Sequence, residues 1–265
     1  MSQWFSMAGR RALVTGASMS IGRSIALGFA DHGASIAVHH CAAADARAGL
    51  RDAGGATVEE VRARGVDACL VEADLELDGG GRRAFDLASA GLGGIDVLVV
   101  CASIQIRTPF SQVTSAEIDR QVGIDFRATV ELLQAALPPM KERGWGRVLT
   151  IGSINQLRPE PDLAIYAALK SAQHNLCINL AREYAPFNVM INNLSPGLVA
   201  TERNRWRRED AEAWRGIQAA VAAPIGRAAQ PDEMVGAAVL LCSEAASYIA
   251  GVDLMVTAGA HLPRV

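Results

Sequence analysis

Short β-branched runs alternate along this chain with longer segments of helical periodicity, and that alternation constrains its fold more than any other feature. Strands are predicted at 11–15, 34–39, 67–72, 95–101, 147–151, 188–194 and 252–256. Helical spacing runs between them over 21–32, 42–65 with a break near Gly54 and Gly55, 82–90, 115–143, 164–184 and 231–243. Strands joined by helices return to a sheet in parallel, so the pattern predicts one seven-stranded parallel sheet with helices on both faces. The segment 95–101 is apolar at every position but Asp96, as a strand covered on both faces requires. Gly33 and Gly65 stand just past predicted helices, where a left-handed residue closes the last turn. No Ser/Gly/Pro-rich linker divides the 265 residues, which read as one doubly wound α/β domain, 1–265. The longest irregular stretch follows the sixth strand. Ligands bind outside the carboxyl ends of strands in such sheets, so residues 197–224 are expected to form a substrate lid.

Charge and cysteine content narrow the partners. The net charge of -3 is spread without blocks of one sign, which gives nucleic acid no footprint and points to a small-molecule partner. No apolar run reaches the roughly 18 residues needed to cross a bilayer. Residues 1–11 carry no apolar stretch followed by a cleavage site, so a cytoplasmic protein is expected. The five cysteines are widely spaced and form no CxxC pair, which reads as free thiols in a reducing compartment. His39, His40 and Cys41 are consecutive and cannot all face one point from an extended segment, so no metal site is expected.

Residues 15–22, Thr-Gly-Ala-Ser-Met-Ser-Ile-Gly, join the first strand to the first helix. Glycine here lets the turn close and the backbone approach a pyrophosphate, while the helix N-terminus offers free N–H groups to the anion. An ordinary βα loop would also use such a turn; its place after the first strand is what suggests a Rossmann-type dinucleotide site.

A second constellation carries the chemistry. Ser153 ends the fifth strand, and Tyr166 and Lys170 lie four residues apart on one face of the following helix. With three tyrosines and two lysines in the chain, such a pair arises by chance at roughly 2%. A phenol of ordinary pKa near 10 is a poor base at neutral pH, and a neighbouring ammonium favours its ionised form. The serine hydroxyl can hold a substrate oxygen as its charge changes.

The YxxxK spacing, the serine thirteen residues upstream, the glycine turn, and Pro196-Gly197 after the sixth strand occur in an order that resembles the short-chain dehydrogenase/reductase superfamily, over about 11–259. Its 3-oxoacyl-[acyl-carrier-protein] reductases are the members it looks most like. The resemblance implies NAD(P)-dependent hydride transfer between a carbonyl and an alcohol. Tyr166 would be the acid/base, Ser153 would hold the oxygen, and Lys170 would tune Tyr166 and bind the nicotinamide ribose. It implies a cofactor site built from Gly16, Ser18, Ser20, Ile21, Gly22, His40, Asp74, Leu75, Cys101, Ala102, Ser103, Tyr166, Lys170, Pro196, Gly197, Val199 and Thr201. It also implies a homotetramer formed through the helices around 115–143 and 164–186.

Several positions depart from the family pattern. Ser20 replaces the middle glycine of TGxxxGxG, and serine enters positive φ less easily. Cys101, Ala102 and Ser103 stand where Asn-Ala-Gly is usual. Asp125 replaces the asparagine that holds a water in a proton relay to the lysine; an ionised carboxylate accepts from water but cannot donate, and it attracts Lys170. His40 falls where NAD-preferring relatives carry an acid. Losing that charge leans the choice toward NADP, with NAD left open.

The leading expectation is therefore a carbonyl reductase acting on a 3-oxoacyl thioester-like substrate, the alternatives being a sugar or polyol dehydrogenase, or a nucleotide-binding regulatory protein that has lost catalysis. Arg203, Arg205, Arg207 and Arg208 in the expected lid read either as recognition of an anionic substrate or as a solvated helix face.

Overall fold

A computed structural model describes residues 3–221 and 224–263. Seven strands, β1 (Arg11–Val14), β2 (Ser35–His40), β3 (Ala68–Glu72), β4 (Val97–Val100), β5 (Gly146–Ile151), β6 (Val189–Pro196) and β7 (Asp253–Val256), form one sheet in the order β3-β2-β1-β4-β5-β6-β7. All six pairings are parallel. The seven-stranded, doubly wound Rossmann-type architecture expected from the alternation is the one observed. β4, β5 and β6 are buried along their whole length; β4 is accordingly apolar throughout, while the buried Arg147 and Thr150 of β5 and Asn192, Asn193 and Ser195 of β6 are hydrogen-bonded within the fold.

Helices cover both faces. α1 (Ser20–Asp31), α3 (Ala53–Arg62) and α10 (Val235–Cys242) share an apolar core with one face, centred on Ile25, Phe29, Val97 and Leu149. α4 (Gly80–Leu92), α6 (Ala128–Arg143) and α7 (Ala164–Tyr184) share the other, centred on Leu13, Leu98, Leu132 and Val148. Among the described residues no helix is long and apolar enough to cross a membrane. The expected lid contains a short turn at 202–204, α8 (Arg205–Arg208) and α9 (Ala211–Val221); its residues 222 and 223 lie outside the described residues.

One expectation needs correction. The helical region 42–65 does break, but before the two glycines: α2 (Ala42–Arg47) ends, Gly49 and Asp52 take positive φ, and Gly54 and Gly55 lie inside α3. Gly54 serves packing, since a Cβ there would come 2.8 Å from Cγ of the His40 ring. The region 115–143 holds helical segments as expected, with a wide turn between them. α5 (Ser115–Val122) begins on a Thr114–Glu117 capping box and leads into a π turn at Gly123–Arg127 before α6 begins. Periodicity at 3.6 residues does not reveal a single wide turn.

The first turn is held by a buried histidine. His39 is 2% exposed, and its Nδ1 accepts the Gly16 N–H at 3.1 Å. Burial, reinforced by the neighbouring His40, lowers its pKa to about 4. The unfolded chain binds this proton near 6.5. Between those values the unfolded state carries more protons, so stability is full above about 6.5 and declines as pH falls toward 4, by about 3 kcal/mol for this one group. Urea unfolding midpoints measured between pH 7.5 and 4.5 should therefore fall less steeply in His39→Gln than in the parent. Parallel curves would remove His39 from this account.

Candidate active site

Almost every candidate residue follows the carboxyl end of a strand. β1 leads to Gly16, β4 to Cys101, β5 to Ser153 and β6 to Gly197, while β2 and β3 lead to Cys41 and Asp74. The chain departs in opposite directions from the two central strands β1 and β4, which opens the crevice where doubly wound folds bind ligands.

At that crevice Thr15 ties the two strand ends together. Its Oγ1 accepts the N–H groups of Cys101 (2.9 Å) and Ala102 (3.0 Å). Gly16 has φ +66, and a Cβ there would come 3.1 Å from Ala102 Cα. Gly22 is tighter still: a Cβ would stand 2.2 Å from the Gly16 carbonyl oxygen. These two positions accept only glycine, so the departure at Cys101–Ser103 leaves the turn intact. Ser20 does adopt the left-handed conformation, at φ +51. Its hydroxyl donates to the Glu202 carboxylate and accepts the Glu202 N–H (3.3 Å). No side chain caps the start of α1, which leaves the amides of Ile21 and Gly22 for an anion.

Beside this turn lies a polar cluster that sequence reading saw only in part. His40 and Ser18 were identified, but Asp45 was not. Asp45 is 4% exposed, and its carboxylate accepts from Ser18 Oγ (2.6 Å) and His40 Nδ1 (2.9 Å). The acid missing from the strand end is thus supplied by α2, five residues on; the available signal was the only acid in the first turn of that helix. Asp74 accepts the Glu76 N–H (2.9 Å), and Leu75 is buried behind it.

The second half of the site centres on Lys170, 2% exposed. Its ammonium donates to the Ile151 carbonyl (2.9 Å) and to Gln173 Oε1 (3.2 Å), and it stands 5.8 Å from the centroid of the Tyr166 ring. Gln173 was also missed, although the i, i+3 spacing from Lys170 would have found it. Tyr166 is 5% exposed, and its hydroxyl has no hydrogen-bond partner among the described residues. Ser153 lies two residues beyond Ile151, at the start of a turn (154–156) that packs against α7. Its Oγ accepts the Asn155 N–H (3.2 Å), which leaves its own proton free to donate.

Asp125 enters from the π turn. It is 1% exposed, and Lys170 Nζ lies 3.7 Å from its Oδ1. Neither carboxylate oxygen has a hydrogen-bond partner among the described residues, and neither does the buried Ser103 hydroxyl that stands toward it. Burial pushes the Asp125 carboxyl up, against the opposing pull of Lys170 and, more weakly, of Ser103, Arg203 and the Ile104 N–H. Burial also pushes the Cys101 thiol up to about 11, so it is not a nucleophile at neutral pH.

The segment after β6 closes the remaining side. Gly197 donates to Val256 O (3.1 Å), and Val199, buried, bridges to Ala229. Thr201 caps the turn 202–204, from which Arg203 reaches back to donate to the Ser103 carbonyl (2.7 Å). No group of three or more His, Cys, Asp or Glu able to hold a metal is found among the described residues.

Residues 16–261 match the family described as enoyl-(acyl carrier protein) reductase. The chain is 32% identical over 255 residues to gluconate 5-dehydrogenase of Gluconobacter oxydans, covering 96% of each. A crystal structure of 3-oxoacyl (acyl-carrier-protein) reductase from Agrobacterium tumefaciens C58 with NADP bound superposes with a TM-score of 0.90 at 41% identity, covering 97% of this chain and 96% of that one. A gluconate 5-dehydrogenase from Burkholderia cenocepacia in complex with NADP and tartrate gives 0.88 at 29% identity, covering 99% of each. With its parallel sheet, its glycine turn and its buried tyrosine–lysine pair matched over nearly its whole length, the chain belongs to the short-chain dehydrogenase/reductase superfamily of oxidoreductases.

Proposed function

We propose that this protein reduces a ketone to a secondary alcohol with NADP(H), NAD(H) being the alternative cofactor. The observation that carries the reading is the buried Lys170 ammonium 5.8 Å from the centroid of the buried Tyr166 ring. The cradle fits a dinucleotide: Gly16 and Gly22 leave no room for side chains, and the amides of Ile21 and Gly22 are uncapped. Those residues would hold the pyrophosphate, with Ser18, Ser20 and Thr201 nearby. Asp74 and Leu75 would line the adenine end. Cys101, Ala102, Ser103, Pro196, Gly197 and Val199 would line the nicotinamide end. When bound, the cofactor supplies the hydride. The NADP preference is supported by His40 at the end of β2 and by the two solved relatives that hold NADP. The carboxylate near His40, that of Asp45, already has an oxygen on each of Ser18 and His40.

The chain's own groups then handle the proton. Ser153 donates a hydrogen bond to the substrate oxygen as negative charge grows there. Tyr166 gives that oxygen its phenolic proton, and becomes a phenolate stabilised by Lys170. Lys170 keeps two of its three donors on Ile151 and Gln173, so its position is set before substrate arrives, and the third is available to the cofactor ribose. In the oxidative direction the same proton returns to Tyr166.

For the substrate, a 3-oxoacyl thioester and a keto sugar acid or polyol are the two readings that the relatives support. Residues 197–224 act as the lid over it. Exposed Ile118 and Val122 on α5 and Ile178 on α7 support assembly through those helices as a homotetramer.

Two variants test the mechanism. Tyr166→Phe should abolish NADPH oxidation with acetoacetyl thioesters and with 5-ketogluconate, yet bind NADPH as tightly as the parent in a fluorescence titration. Substantial residual turnover would sink the assignment. A parent that binds NADPH but turns over neither substrate would favour a regulatory role instead. Asp125→Asn should leave turnover intact or raise it, and complete loss would mean the relay is built differently.

A further inference from the structure

A row of polar side chains crosses the sheet beneath Ser153. In the strand register Thr150 of β5 lies beside Asn193 of β6, and Asn193 lies beside Asp253 of β7. Ser195 stands two residues farther along β6, on the same face. Thr150, Asn193 and Ser195 are fully buried, where a polar group is costly unless it is paired. Their protons all run toward the edge strand. Thr150 donates to Asn193 Oδ1 (2.7 Å), Asn193 donates to Asp253 Oδ1 (2.8 Å), and Ser195 donates to that same oxygen (2.7 Å). The row thus ends on one carboxylate, carried by β7.

The other oxygen of that carboxylate, Asp253 Oδ2, accepts from Gln156 Nε2, which also donates to Ser195 Oγ (3.0 Å). An ionised carboxylate can only accept, and the Ser195 proton is already given to Asp253, so both partners require the amide nitrogen. Gln156 Oε1 is buried with no hydrogen-bond partner among the described residues, a cost the side chain bears to face this way. Gln156 is also the last residue of the turn that Ser153 opens. Its N–H donates to the Ser153 carbonyl (3.2 Å), and Ser153 Oγ accepts the Asn155 N–H inside the same turn. Gly152 lets the row pass directly below: a Cβ there would come 2.5 Å from Asn193 Nδ2 and 2.6 Å from Ser195 Oγ. The row therefore underlies the chain from Ile151, whose carbonyl holds Lys170, to Ser153.

We propose that Asp253 is a positioning residue for Ser153, acting through Gln156. The charge-assisted bond to the amide pins the far end of the turn, and the turn fixes where the Ser153 hydroxyl points before a substrate oxygen arrives. A donor that is already aimed stabilises growing charge without reorganising, and one that must find its place does not. Asp253 itself touches neither substrate nor cofactor in this role. The proposal rests on the hydride-transfer function above, but one of its tests requires no turnover.

The experiment exchanges the two groups. Gln156→Glu sets two carboxylates against each other, and adding Asp253→Asn restores one amide facing one carboxylate with the roles reversed. With ethyl acetoacetate and with 5-ketogluconate at saturating NADPH, Gln156→Glu should lower kcat about tenfold or more on both, while NADPH binds as tightly as to the parent in a fluorescence titration. The double variant should recover most of that loss. Asp253→Asn alone should cost little, because Gln156 can turn its amide and accept with the free Oε1. Gln156→Met removes the anchor without adding charge, and carries the test if Gln156→Glu does not fold; it should lower kcat likewise and gain nothing from Asp253→Asn. Parental kcat in Gln156→Met, or a loss in Gln156→Glu that the exchange does not relieve, overturns the proposal. So does a loss confined to KM for one substrate, which would make Gln156 a substrate contact, or a loss of NADPH affinity, which would make it a cofactor contact. Thermal unfolding reads the pair without turnover: Gln156→Glu should lower Tm in the parent but much less in the Asp253→Asn background, and additive shifts would refute the coupling. A parent that reduces neither ketone would instead remove the hydride-transfer reading and leave that coupling in place.

Discussion

A lysine ammonium held out of water is the feature around which this molecule is organised. Lys170 is 2% exposed, and a cation so buried persists only where fixed acceptors replace its hydration. The Ile151 carbonyl at the end of β5 and the Gln173 amide one turn along α7 are those acceptors. The carbonyl belongs to the sheet and the amide to the helix, so the charge is located by their packing rather than by a flexible contact. Gln173 is fixed in turn by Thr129 at the start of α6, to which it donates at 3.0 Å. Three elements thus converge on one charge, and the tyrosine one turn upstream inherits its position from the same helix.

The nucleotide half of the crevice depends on backbone proximity rather than on charge. Thr15 gathers the amides at the end of β4, and His39 receives the amide of Gly16 from the end of β2. β1 lies between those two strands in the sheet. Its turn is therefore held from both sides, which accounts for its tolerance of a serine at positive φ and of cysteine and serine after β4. Two of the site's departures from family pattern fall on groups held by neighbours: Ser20 by Glu202, and Cys101 by Thr15.

Much of this was legible in the sequence, and the limits have physical causes. The sheet was legible because short β-branched runs alternate with segments of helical period, the central one, 97–100, being apolar throughout. Tyr166 and Lys170 were legible because a spacing of four shares a helical face. Residues brought in by the chain's tertiary path were not. Asp45 reaches His40 only because α2 turns back over the end of β2, and Arg203 reaches Ser103 across 100 residues of chain. Gly54 read as a helix breaker because propensity says so; the ring of His40 beneath it, invisible to local rules, is the reason it is there. Asp125 was expected beside Lys170 from the family resemblance, but the turn that aims it there was hidden, being wider than the period used to read helices.

That wide turn, Gly123–Arg127, bears on how such a site changes over generations. A π turn holds about one residue more than an α turn, and the ordinary helices on either side continue in their own registers. Removing one residue from 123–127 would heal the ladder, and α5 and α6 would keep the faces they bury now. The carboxylate would be withdrawn from beside Lys170, and the Arg127 bond to the Glu76 carbonyl would be disturbed with it. The polar lining of the crevice can thus be edited by the smallest in-frame event available to a gene, without repacking the core beneath it.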